Sequence, residues 1–131
     1  MARISADDWD AERWPHFSVR ELACQHCGRL SMEEEFLDDL ETMRELIGPM
    51  RISSGYRCDG HPIEAAKETP GSHSKGIAVD VACRGQGAFM VLQAALDVGS
   101  MWGIGVSQQG ESRFIHLDQL EADYRPSLWS Y

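Results

Sequence analysis

Apolar positions along the chain change period several times, and each change marks an element. Over residues 31–48 ("SMEEEFLDDLETMRELIG"), Phe36, Leu37, Leu40, Met43, Leu46 and Ile47 recur at helical spacing. Ser31 is the expected cap, Glu33 to Glu35 suit the positive helix end, and Gly48 with Pro49 supplies the stop. "FSVRELAC" carries Ser18 and Glu21 at capping-box spacing, which predicts a short helix running toward Cys24, with Gly28 ending the unit. "QGAFMVLQAALDVG" reads as an amphipathic helix ending at Gly99. "MRISSGYR" reads as a short strand entering a turn, while "WGIGVS" and "RFIHLD" read as strands separated by "QQGES".

In "GIAVDVA" the period is two, so Ile77, Val79 and Val81 share one face and Gly76, Ala78, Asp80 and Ala82 the other. The same alternation sets Ile115 and Leu117 against Phe114, His116 and Asp118. Residues 58–76, with Gly60, Pro62, Pro70 and Gly71, read as a long polar connection of the kind that often carries function. Residues 1–17 lack a clear period and are expected to form a docking arm. The tail, 119–131, is polar and then aromatic, with Trp129 available to pack on the body. A single domain over 1–131 is the expectation.

Composition narrows the function classes. A net charge of −9 and a pI near 4.9 argue against nucleic acid as the main partner, because phosphate binding needs clustered Lys and Arg. No apolar run is long enough to cross a bilayer, so no membrane insertion is expected. The opening "MARISADDWDAERWPHF" lacks the pattern of a signal or transit peptide. Four cysteines in such a chain point to thiols or metal ligands rather than a disulfide framework. Cys24 and Cys27 form a CxxC that could hold a structural ion, alone or with Cys58 and Cys83. The latter two lack the second CxxC that would make the pattern strong, so inert or packed thiols are the expectation.

Asp80 stands between valines on a strand, where an unpaired buried acid costs several kcal/mol, and His116 poses a similar problem. If the two strands pair, Asp80, His116 and His73 in the preceding Ser-rich turn can converge. Two imidazoles and one carboxylate are an ordinary catalytic zinc set that leaves one position for water. By itself, His73 in such a loop is more often a solvated histidine than a ligand.

"SSGYR", "GSHSKGIAVD" and "FIHLD", in this order and on these elements, resemble the zinc D-Ala-D-Ala carboxypeptidase family, which shares its fold with the hedgehog signalling domain. Ser72, His73, Gly76, Ala78 and Asp80 match the whole of its SxHxxGxAxD pattern, and "FSVRELACQHCG" is similar to its opening. The resemblance implies an α+β fold, a small antiparallel sheet with helices packed on one side. It implies one catalytic Zn2+ on His73, Asp80 and His116, with Arg57 steadying the substrate carbonyl and Tyr56 and Ser72 beside the substrate. It also implies a peptidase acting on peptidoglycan stem or cross-link peptides, as phage endolysins and virion-borne wall hydrolases do; a monomer is expected. Such a protein would be made in the cytoplasm of a host cell and act on the wall after release, or travel with the virion. A non-catalytic zinc-containing wall-binding or structural phage module on the same scaffold is the alternative.

The sequence departs from many family members at the general base, where Arg113 and Phe114 stand in place of the usual acid or histidine. Asp118, on the ligand face, is the first candidate, either to reach the metal water or to orient a ligand imidazole; Glu111 is the second. Lys67 could pair with a substrate carboxylate and His61 could act as an auxiliary acid, although solvent exposure is the default for both.

Overall fold

The computed structural model describes residues 2–69 and 71–131; Met1 of the arm and Pro70 of the polar connection lie outside them. The element order is β1 (Arg3–Ile4), a 3-10 turn (Ala6–Asp8), α1 (Val19–Leu22), β2 (Met32–Glu33), α2 (Glu34–Ile47), β3 (Arg51–Ser54), α3 (Pro62–Ala65), β4 (Ala78–Ala82), α4 (Gly85–Val98), β5 (Gly103–Ser107), β6 (Phe114–Asp118) and β7 (Ser127–Ser130). A five-stranded sheet has the order β3-β4-β6-β5-β7, and β1 pairs with β2 in a second, two-stranded sheet. This is the expected α+β class. Among the described residues, no helix is long and apolar enough to cross a membrane.

The period-two pattern decides which sheet face meets the helices. Val79, Val81, Ile104, Ile115 and Leu117 are buried in one cluster with Phe36, Leu37, Leu40 and Met43 of α2 and Val91, Ala94 and Ala95 of α4. Each of these side chains larger than alanine contributes roughly 1.5–3 kcal/mol by leaving water. The arm joins the same cluster, because Trp14 is buried there and its indole N–H donates to Asp38. The opposite sheet face carries the polar set: Ser54 lies beside Asp80, Asp80 beside His116, His116 beside Gly105, and Gly105 beside Trp129.

Four local features differ from the sequence reading. The long helix starts at Glu34, not after Ser31, because Met32 and Glu33 extend to pair with β1. Leu46 turns to solvent while Glu41 is buried, its carboxylate taken by the backbone N–H and imidazole of His16. The connection after Cys58 contains α3, with Pro62 at its first turn and His61 as its cap. Finally, the tail supplies β7, which joins β5 in parallel and makes the sheet mixed at that edge.

Candidate metal centre and cleft

Three elements bring the polar groups to one point. β4 and β6 pair so that Asp80 and His116 are direct neighbours, and the turn before β4 delivers His73. Asp80 Oδ1 lies 3.3 Å from His73 Nε2 and 3.0 Å from His116 Nδ1. All three residues are buried.

Each ring is anchored by a hydrogen bond on its far side. His73 Nδ1 is 2.8 Å from the Gly55 carbonyl, which can only accept, so Nδ1 carries the proton and Nε2 is bare. His116 Nε2 is 2.8 Å from Asp118 Oδ2, an oxygen also held by Arg125, and its Nδ1 is 3.0 Å from Asp80 Oδ1, so a proton kept on Nε2 would leave Nδ1 free for a metal ion. His73 Nε2, His116 Nδ1 and Asp80 Oδ1 therefore converge, and a cation could take the place of the protons that otherwise lie between the rings and the carboxylate. Ligand atoms about 2.0–2.2 Å from a tetrahedral zinc stand roughly 3.3–3.5 Å apart, close to the spacing found here. The residues fit the ion.

Burial alone would raise Asp80, but the His116 and His73 imidazoles outweigh it and hold the carboxyl well below the usual range. Burial would likewise raise Asp118, which His116 and Arg125 hold low. The His116 ring is pushed up, since its two carboxylate neighbours, Asp118 first, outweigh its desolvation.

The cluster borders a cleft of about 670 Å³ through Asp80 and Arg57, with Glu111, His61, Arg113 and Phe114 among the other lining residues. Arg57 spans the border: its guanidinium reaches Asp80 Oδ2 at 3.4 Å, Glu64 Oε2 at 3.3 Å and Ser54 Oγ at 3.2 Å. A family model described as peptidase M15 matches residues 15–118. The chain belongs to the peptidase M15 family. This is the zinc D-Ala-D-Ala carboxypeptidase type of metallopeptidase, and the His73, Asp80 and His116 cluster fits its zinc requirement. No curated protein matches the chain.

On this M15 scaffold the residues singled out in the sequence separate into two groups. Arg57 and Glu111 line the cleft beside Asp80. Asp118 does not: it is fully buried behind His116, with its oxygens taken by His116, Arg125 and the Leu120 N–H. Gly103 makes room for it, since a Cβ there would stand 2.4 Å from Asp118 Oδ1. Of the two roles open to Asp118, the geometry matches orientation of the imidazole and not contact with a metal water.

Tyr56 packs against the core under Arg3, and neither it nor Ser72 lines the cleft. Lys67 pairs with Glu64 at 3.0 Å rather than standing free for a substrate carboxylate. Cys58 lies with Cys24 and Cys27, whereas Cys83 stands outside that group on the cleft wall.

Sequence reasoning missed Glu64, Arg125 and the placement of Trp129. Glu64 is buried in α3 and ties the histidine-bearing turn down by accepting from the Gly71 N–H at 2.7 Å and Ser74 Oγ at 3.3 Å. Burial would raise its pKa, but the Gly71 N–H, Lys67 and Arg57 together hold it down to about 2. The signal for this element was Pro62, a residue suited to the first turn of a helix. Trp129 sets its ring 5.5 Å from the His116 ring and 4.8 Å from the Arg125 guanidinium, and so packs beside the metal centre.

Proposed function

We propose that the chain hydrolyses an amide bond in peptidoglycan stem or cross-link peptides, acting on the wall after release from a host cell or from a virion. The observation that carries the reading is the convergence of His73 Nε2, His116 Nδ1 and Asp80 Oδ1 beside a cleft that also offers Arg57 and Glu111. The wall substrate rests on the resemblance of "SSGYR", "GSHSKGIAVD" and "FIHLD" to wall peptidases.

Zinc held by these three residues supplies a Lewis acid and a water whose pKa falls toward neutrality. The protein's own groups do the rest. Arg57, fixed by Glu64 and Asp80, presents a permanently charged fork of donors to the oxygen that becomes negative as the peptide carbonyl is attacked. With Asp118 committed behind His116, Glu111 is the remaining carboxylate on the cleft wall; it takes the proton of the attacking water and passes it to the leaving amine.

The test is incubation of the purified protein with peptidoglycan, with and without a chelator, scoring new amine ends. Chelator-sensitive release is expected, and Glu111→Gln should lower turnover by roughly 10²–10⁴ while zinc stays bound. Tight zinc with intact peptides would overturn the reading in favour of a non-catalytic wall-binding module.

A further inference from the structure

A second group of ligand-type side chains lies away from the sheet. Cys24, Cys27 and Cys58 place their sulfurs within 4.8 Å of one another, although Cys58 is far from the other two in sequence. All three are free thiols. We infer that they form a second, thiolate-bound zinc site that is structural and distinct from the His73, Asp80 and His116 centre.

A backbone donor is already aimed into the group. The Cys58 N–H donates to Cys24 Sγ at 3.3 Å. Such a donor stabilises negative sulfur, and three thiolates packed this closely would repel one another without a cation. A disulfide between any two would leave the third unpaired.

The fourth ligand comes from the chain just after Cys58. His61 follows Cys58 at the spacing by which Cys27 follows Cys24, giving C-x2-C and C-x2-H pairs and a Cys3His set. Its Nδ1 accepts from the Ile63 N–H, which leaves Nε2 as the ligating atom, and closure requires that ring to turn toward the sulfurs.

The site would clamp the turn after α1 against the segment that follows β3. There the Tyr56 N–H donates to the Leu22 carbonyl at 2.9 Å, and Gly55 approaches so closely that a Cβ would stand 2.4 Å from the same oxygen. That segment carries the Gly55 carbonyl that orients His73, and it carries Arg57. The thiolate site therefore holds in place two elements the hydrolytic site depends on.

Cobalt substitution of the reduced, full-length protein tests this directly. Wild type should bind about two metal equivalents and show intense near-ultraviolet sulfur-to-cobalt charge-transfer bands. Cys27→Ser, at an exposed position, should bind one equivalent and lose those bands, whereas Asp80→Asn should bind one equivalent and keep them. His61→Ala should retain the sulfur bands with altered visible ligand-field bands. A wild-type protein that takes up a single equivalent without sulfur bands overturns the inference. So does recovery of two of the three cysteines as a disulfide under the same reducing preparation. The wild-type spectrum decides the matter even if a variant fails to fold.

Discussion

The two ligand clusters are built by opposite means. At the sheet centre, Asp80 and His116 sit on paired strands, so their separation is set by a ladder that also buries the apolar core on its other face. The cysteine cluster hangs on turns at the edge, where close packing at Gly55 and the Cys58 N–H donating to Cys24 Sγ bring its members together. The donors differ in the same sense. Imidazole and carboxylate with a cleft alongside suit an ion that exchanges a ligand, whereas three sulfurs suit one that does not. A scaffold can thus separate an ion that does chemistry from one that holds shape.

The largest expected effect comes from removing the shared oxygen of the sheet cluster. In Asp80→Asn, the two imidazole nitrogens lose the anionic oxygen facing both of them. Peptide cleavage should fall by far more than the roughly 10–100-fold that loss of an outer partner costs. Metal analysis should show that the cysteine site is still filled. Activity that survived with one equivalent of metal would break the division of labour between the clusters.

The structural link between the clusters is Glu64, which ties the His73 turn to Arg57, the residue just before Cys58. Its carboxyl has an ordinary value of 4.5 and a folded value of about 2. A depressed folded pKa gives stability that is complete above the unfolded value and disappears as pH falls through the folded one. The window is therefore pH 4.5 down to about 2. The difference corresponds to a contribution on the order of 3 kcal/mol. In urea unfolding of metal-free protein, wild type should exceed Glu64→Gln at neutral pH, and the gap should close across that window. A gap independent of pH would mean that Glu64 acts by shape and not by charge.

These cases show what the sequence could reveal. Alternation in "GIAVDVA" and "RFIHLD" was enough to put Asp80, His116 and Asp118 on one face, and the helical period located α2 and α4. Alternation says nothing about which ring nitrogen faces which neighbour, so it left the role of Asp118 open; Arg125, from the tail, and Gly103, from β5, settle its position. Glu64 was hidden because four helical residues are too few to display a period, and only Pro62 hinted at the turn. β7 was hidden because "SLWS" is short and its Leu128 faces solvent, so no buried face marked it. The cysteine cluster escaped pattern matching because Cys58 lacks a cysteine partner in sequence and meets the CxxC only through the contact at Gly55.

The smallest and most discriminating effect is at Asp118, where two roles predict opposite kinetics. Asp118→Asn keeps the side chain's shape but removes its charge. One asparagine oxygen could still accept from His116 Nε2, but its NH2 would then face either Arg125 or the Leu120 N–H, which need acceptors. The imidazole loses a firm anchor, so zinc affinity at the sheet site should weaken by roughly 10–100-fold, with turnover largely restored at saturating zinc. A proton acceptor would behave differently: affinity would hold while turnover fell at every zinc concentration. Titration against a competing chelator, read beside the sulfur–cobalt bands as an internal reference, separates the two because the cysteine site should not respond to Asp118 at all.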